Sequence, residues 1–454
     1  MKPSLTCYGG VGEIGGNKFL LEDRGTKVLL DFGTGFSDGI DFFDEGIQPR
    51  GVNGAGDLFE FGLIPQIRGL YSEMALQNTS MKHTKPEVDA VVLSHYHWDH
   101  MGRIEHVDPE IPVYCGETTS LIHDASSEAA SSPLDGHELR TFRTGDKLTV
   151  GPMEFLPIHV DHSIPGAYGF VIYMSDGTIA YTGDFRFHGR ARSLTHDFVR
   201  AAAASTPDIL LTEGTRVAPA QEGEGMSEQS VLKETMRLVK SSRNLVLSTF
   251  RGNDVDRVNT FYDAADACGR RLVVSMKTAL LLEKLKSDKK LKVPRLGKEV
   301  GVYLRRKKSG RLDDKDYYPW ERQFIKYGVS SSDVRRQQRE TFLHLELWNF
   351  PELIDIKPSA GGTYIHAATE AFNEEGEREE LVVRNWIDHM GFSYHQIHAS
   401  GHAPMSEVGS LVAGINAKRV VPIHTEHPEL FSEFGKKGSW DLKAPVKGVP
   451  VTLS

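Results

Sequence analysis

The chain has 454 residues, too many for one ordinary hydrophobic core and enough for two or three domains. Apolar residues make up 39% and charged residues 25%, the balance of a water-soluble globular protein, and no stretch reaches the roughly 18 apolar residues that span a bilayer. A net charge of −9 argues against indiscriminate coating of nucleic acid but leaves room for a local basic channel.

The opening MKPSLTCYGG lacks the apolar core of a signal peptide. Cys7, Cys115 and Cys268 are too few and too far apart for a disulfide framework or a cysteine zinc site, so a reducing cytoplasm is the expected compartment. NKFLLED, RGT and KVLLDFG then read as a hairpin. Within YGGVGEIGGN the glycines satisfy G-x-G-x-x-G, but a strand rather than a helix follows, so a dinucleotide site is not expected. A tight turn at the floor of a site fits them better. Residues 36–86 form a long irregular insert, expected to be a lid or extra packing.

VDAVVLS (88–94) is a near-continuous apolar strand, as in a sheet covered on both faces. Further strands are expected near 153–160, 168–174, 178–182 and 208–214. From about 216 the pattern becomes helix–strand–helix–strand. SEQSVLKETMRLVKSS has helical spacing with Ser227 as N-cap, and VDRVNTFYDAADACG is a helix closed by Gly269. Residues 284–311 are heavily basic, and FNEEGEREEL (372–381) reads as an acidic exposed turn. After about 395 a strand–helix–strand pattern returns.

VVLSHYHWDHMG (91–102) carries the chemistry. His95, His97, Asp99 and His100 cannot share one helix face. They can converge from a loop at the C-terminal end of a strand, where open sheets place their sites. Imidazole and carboxylate without thiolate suit zinc or manganese in a hydrolytic centre. His162, Asp184 and His424 each terminate an apolar run and complete the set, and Asp184, with two oxygens, is the best bridge between two ions. His159, His188, His196, His344, His366 and His427 lack this setting and read as ordinary.

The set His95-His97-Asp99-His100, His162 and Asp184 resembles the signature of the metallo-β-lactamase superfamily. LLDFG with Asp31 resembles its first motif, a carboxylate that props the metal-binding loop from behind. LTEG with Glu213, ASGHA with His402 and PIHTE with His424 resemble the three later motifs of the β-CASP nucleases, most of all the ribonuclease J family in its shorter archaeal form. The resemblance implies an α/β fold: a metallo-β-lactamase αββα sandwich (1–215 and 395–454) with an inserted Rossmann-like β-CASP domain (216–394). It implies two zinc ions, with manganese as the alternative. One would be held by His95, His97, His162 and Asp184, the other by Asp99, His100, Asp184 and His424. Glu213 and His402 would form the pair that protonates the leaving oxygen, while Asp99 belongs to both the metal and the catalytic set. The implied substrate is single-stranded RNA, read from a 5′-monophosphate end by His398, Ser400 and Gly401 and degraded 5′ to 3′, with endonucleolytic cutting also in range. Arg305, Arg306, Lys307 and Lys308 would line its channel.

Two departures from that family stand out. The insert at 36–86 is longer than expected. The chain also ends about thirty residues after His424, so the C-terminal association domain of the bacterial enzymes is expected to be missing, leaving a homodimer as the assembly to consider. Three other readings compete. A small-ester or lactone hydrolase would leave Glu213 and His402 idle. A DNA nuclease of the crosslink-repair branch typically lacks the histidine found here at 424. An inactive RNA-binding subunit would not need a complete ligand set.

Overall fold

The computed structural model describes residues 2–43, 46–219, 225–369, 374–437 and 440–453. Two sheets of seven strands face each other. The first runs, in spatial order, Pro450–Thr452, Ser4–Gly9, Lys18–Asp23, Thr26–Phe32, Ala90–Val92, Val113–Gly116 and Leu139–Phe142. The second runs Asp441–Leu442, Arg419–Ile423, Ile209–Glu213, Gly177–Tyr181, Tyr168–Met174, Met153–His159 and Leu148–Val150. The expected hairpin is present. Arg24 and Gly25 at its tip have φ of 50° and 90°, the left-handed pair that a two-residue turn matched to strand twist requires.

Between the sheets, Leu5, Phe19, Leu21, Val28 and Leu30 meet Phe155, Phe170, Ile172, Ile209 and Leu211 in one buried layer. Alternation puts their strand neighbours on the outer faces. Helices Ser193–Ala204 and Met405–Ile415 cover the second sheet with Phe198, Ala202, Leu411 and Val412. Helix Glu117–Ala129 covers the first, together with much of the insert. Ala55, Leu58, Ile64, Leu70 and Tyr71 are buried there, so this part of 36–86 is extra packing. Its outer edge keeps Phe36, Ile40, Phe42 and Ile47 exposed.

Strands Ile209–Glu213 and Arg419–Ile423 are parallel neighbours, yet more than two hundred positions separate them in sequence. The intervening chain builds a third, wholly parallel sheet: Gly328–Ser330, Val300–Leu304, Arg271–Val274, Thr341–His344, Val246–Thr249, Gly362–His366 and Phe392–Gln396. Its strands are apolar on both faces because helices cover both. Val231, Leu238, Val258 and Phe261 pack on one side, and Leu353, Ile356, Val383 and Ile387 on the other. Ser227 caps helix Glu228–Ser241 by accepting from Ser230 N, and Gly269 takes φ 70° just beyond helix Val255–Ala267.

Of the stretch 372–381, residues 372 and 373 lie outside the described residues, and the rest is not a turn: helix Glu374–His389 begins there. Its acidic first turns are followed by Val383 and Ile387, four residues apart, which fix one face to the core. The last strand of the third sheet runs two residues past 394.

The inserted unit touches the sandwich on two sides. Helix Met276–Leu285 lies along Glu117–Ala129, with Lys284 Nζ 2.6 Å from Glu128 and Asp288 accepting from Thr118 Oγ1 (2.8 Å) and Arg143 Nη2 (3.1 Å). On the other side Arg190 Nη2 reaches Asp263 (2.8 Å). Beside the paired helices Glu117–Ala129 and Met276–Leu285 a cleft of about 750 Å³ is lined by Tyr96, Arg251, Lys277, Glu346, Trp348 and His366, among others.

Candidate active site

The predicted ligands converge, and His95, His100, His162 and His424 are each oriented by a neighbour on the ring nitrogen that faces away from the centre. Asp31 is fully buried with φ 55°, a backbone state that Asp tolerates better than most residues. Its Oδ1 accepts from Ser94 N (2.7 Å). Its Oδ2 accepts from Ser94 Oγ (2.8 Å), from the Tyr181 hydroxyl (2.5 Å) and from His100 Nδ1 (2.8 Å). With Nδ1 donating, His100 Nε2 faces the centre, with Asn17 Nδ2 3.0 Å from it. His162 Nδ1 donates to Gly401 O (2.6 Å), so its Nε2 is bare. Thr215 Oγ1 spends its proton on Glu213 Oε2 (2.6 Å) and accepts from His424 Nδ1 (2.8 Å). His424, at φ 51°, is pinned by its own N–H on Gly10 O (2.7 Å). The glycine turn is therefore the floor of the site, and a Cβ on Gly15 would stand 3.1 Å from Asp99 Cβ.

The inward atoms form two groups sharing one oxygen. His95 Nε2 and His162 Nε2 each lie 3.0 Å from His97 Nδ1, and lie 3.6 and 3.8 Å from Asp184 Oδ2. In the other group, Asp99 Oδ2 is 2.8 Å from His424 Nε2 and 3.5 Å from His100 Nε2. Asp184 Oδ2 is 3.2 Å from His100 Nε2 and 3.9 Å from His424 Nε2. A tetrahedral cation with bonds of about 2.0–2.1 Å needs ligand atoms about 3.3–3.4 Å apart, within the spread seen here. The donor chemistry points the same way. Asp184 Oδ2 is buried among imidazoles with no hydrogen bond, and the bare His424 Nε2 faces a carboxylate oxygen. Lone pairs converging in a dry pocket need cations between them.

Burial lowers the pKa of His95 and His162, and lowers His97 to about 4, so these rings are neutral and ready as ligands. Burial alone would raise Asp99 and Asp184, but the imidazoles around them hold both below the usual carboxylate range.

On the far side of Asp184, Glu213 Oε1 accepts from Phe185 N (2.7 Å), while Oε2 lies 2.9 Å from His402 Nδ1. Burial opposes charge on His402, yet Glu213 and Asp184 outweigh it and hold the ring up at about 9. The proton shared with Glu213 fixes the ring and leaves Nε2–H to be given away.

The remaining predicted residues divide. His398 has both ring nitrogens buried without a partner. Ser400 and Gly401 lend their carbonyls to the centre itself, through Arg186 (2.9 Å) and His162. The basic run does not line the cleft. Arg306 pairs with Asp355 (3.3 Å), Lys307 with Glu321 (2.5 Å) and Arg305 with Asn349 (2.8 Å), and Lys308 reaches the Lys315 carbonyl (3.2 Å). The carboxylates that meet Arg306 and Lys307 lie beyond the run in sequence, invisible to a local charge count.

The cations that do face the cleft are Arg251 and Lys277, exposed and in no ion pair among the described residues, beside Trp348 at 66% exposure. Arg251 is close enough for its charge to lower His97. Isolated in sequence, neither cation gave a signal. Tyr181 and Thr215 were also missed, one closing an apolar strand like a core residue and the other lying two positions past Glu213. His344, read as ordinary, is buried and stacked on Phe250 at 3.9 Å.

The sandwich, its strand-end histidines and the sequence comparisons agree. Residues 64–245 match the β-lactamase superfamily domain. That stretch carries a β-lactamase superfamily domain. The chain is similar to ribonuclease J of Mycobacterium tuberculosis (strain H37Rv), with 26% identity over 438 residues that cover 92% of this chain and 68% of that protein. Ribonuclease J of Helicobacter pylori (strain J99) is 23% identical over 440 residues, 93% of this chain and 56% of that protein. A solved Enterococcus faecalis V583 protein of unknown function shares the fold over 100% of both chains, with a TM-score of 0.78 at 20% identity.

Asp31 gives a direct test of how these ligands are held. Asp31→Asn keeps a side chain that tolerates φ 55° but removes the charge that fixes His100. Metal affinity, measured by chelator competition, is expected to fall about 10–100-fold while the fold survives.

Proposed function

We propose that the chain is a divalent-metal-dependent ribonuclease that hydrolyses phosphodiester bonds in single-stranded RNA, with zinc the cation its donor set suits best. One observation carries the reading: a hydrogen-bond-free Asp184 oxygen ringed by imidazoles, with a Glu213–His402 proton donor on its far side. A small-ester hydrolase has use for the first half of that arrangement and none for the second. The ribonuclease J relatives support the RNA assignment.

Two divalent cations held by His95, His97, His162, Asp184, Asp99, His100 and His424 would supply an activated water and neutralise charge on the phosphoryl oxygens. The protein's own residues do the rest. Glu213 keeps the His402 proton on Nδ1 and stabilises the imidazolium, whose second proton goes to the departing 3′-oxygen. The phosphate therefore stays on the 5′ side of the downstream product. Arg251 and Lys277 hold backbone phosphates along the cleft, and Trp348 offers a face on which any base can stack. His398, with two unpaired ring nitrogens, receives the terminal 5′-phosphate.

End-labelled RNA bearing a 5′-monophosphate should be degraded faster than 5′-triphosphate or circular RNA. Equal rates on all three would remove the end-reading claim. Turnover of a nitrophenyl ester with inertness to every RNA would replace the ribonuclease by a small-molecule hydrolase. Charge reversal at Arg251 or Lys277 should weaken RNA binding across sequences and reduce the slope of log affinity against log salt by about one each. Reversal at Arg306, already paired with Asp355, should leave that slope unchanged.

A further inference from the structure

Arg186 lies two residues beyond Asp184 and is among the largest side chains with no exposure. Its three nitrogens reach three different parts of the chain. Nε is 3.3 Å from Asp161 Oδ1, Nη1 donates to Ser400 O at 2.9 Å, and Nη2 donates to Asp256 Oδ2 at 2.7 Å. Each partner adjoins something the reaction uses. Asp161 precedes His162. Ser400 opens the loop whose next carbonyl, Gly401 O, fixes His162 and whose next side chain is His402. Asp256 lies on helix Val255–Ala267, in the inserted unit that forms the other wall of the cleft.

A second guanidinium backs the same loop: Arg257 reaches Glu228 (2.9 Å), Ala399 O (3.3 Å) and Ala367 O (3.1 Å). Gly189 leaves the space this arrangement needs. A Cβ there would stand 2.4 Å from Arg186 Nε and 2.3 Å from Asp161 Oδ1.

Well-packed apolar side chains often stabilise a fold as well as a buried ion cluster does, so stability alone is a poor reason to bury this one. What a forked cation adds is fixed direction toward several partners at once.

We infer that Arg186 is a positioning residue that sets His402 against the metal centre from the seat of the inserted unit, an inference that rests on reading His402 as the proton donor. Removing Arg186, or prying it from Asp161, turns the 399–402 loop and misaims the His402 ring without removing a metal ligand.

The test uses Arg186→Met, Arg186→Lys, Gly189→Ala and Asp256→Asn. Gly189→Ala and Asp256→Asn retain Arg186 and carry the test should Arg186→Met not fold. Each is assayed in single turnover on an RNA with the normal 3′-oxygen leaving group and on the same strand with a 3′-sulfur, which departs without a proton. Arg186→Met and Gly189→Ala are expected to lower kcat on the oxygen substrate by about 10²-fold, with KM and metal content unchanged. Most of the loss should vanish on the sulfur substrate, and Arg186→Lys should restore part of the rate. In metal-free protein, the same variants should shift the His402 ring resonances and leave those of the distant His83–Asp108 pair in place.

Equal losses on both substrates, a fall in metal content that accounts for the rate, or unmoved His402 resonances would each overturn the inference. A wild-type chain inert to both RNAs would remove the ribonuclease reading instead, and the ring spectra would still decide whether Arg186 positions His402.

Discussion

Asp184→Ala is expected to abolish RNA cleavage and metal binding together. One oxygen of this carboxylate lies 3.2–3.9 Å from nitrogens of His95, His100, His162 and His424, so it belongs to both groups of ligands at once. Any other ligand serves one group. Its removal leaves His95, His97 and His162 on one side and Asp99, His100 and His424 on the other, with no anion between two dications. Metal analysis of dialysed protein should therefore fall from about two ions per chain to below one, where loss of a single-group ligand such as His162 should spare the other ion. The fold should survive, because Asp184 Oδ2 accepts no hydrogen bond that the substitution would remove. Retention of both ions in Asp184→Ala would mean that this oxygen is not the bridge.

His402→Ala is expected to behave in the opposite way: both ions stay and the chemistry slows by about 10²–10⁴-fold. His402 Nδ1 lies 3.7 Å from Asp184 but is already committed to Glu213 at 2.9 Å. The acid form that Glu213 and Asp184 stabilise is lost as pH rises through about 9, so the wild-type rate should decline on the alkaline side. Cations on Asp184 would draw that decline to lower pH. His402→Ala should lose the alkaline limb altogether. If the variant instead loses a metal, His402 is a ligand and the proton donor must be sought elsewhere.

Strand ends were the legible part of this molecule. Apolar runs such as Val91-Val92-Leu93 and Val420-Val421 stop abruptly at polar residues, and those residues are the ones the fold brings together at His95 and His424. Burial on both faces makes such stops conspicuous, because a continuously apolar strand gives no other reason for an imidazole. The change of pattern near 216 and its reversal near 395 read as an inserted unit; the chain between the paired strands Ile209–Glu213 and Arg419–Ile423 builds the third sheet.

What sequence could not supply was pairing at a distance. Lys307 looks like a channel residue until Glu321 is seen against it, while Arg251 and Lys277 look unremarkable until the cleft is built around them. Arg186 reads as one more charge after GDF. Its partners at 161, 256 and 400 come from both the sandwich and the inserted unit. Helix Glu374–His389 was hidden for another reason: its acidic opening outweighs, in a short window, the apolar spacing that follows.

The central claim is that residues from 95 to 424 hold two neighbouring cations on a shared Asp184 oxygen. Anomalous diffraction at the zinc edge from crystals of the zinc-reconstituted protein tests it most directly. The account predicts two peaks flanking Asp184, one within bonding distance of His95, His97 and His162, the other of Asp99, His100 and His424. A single peak, or zinc bound elsewhere with His424 turned away from Asp99, would contradict it.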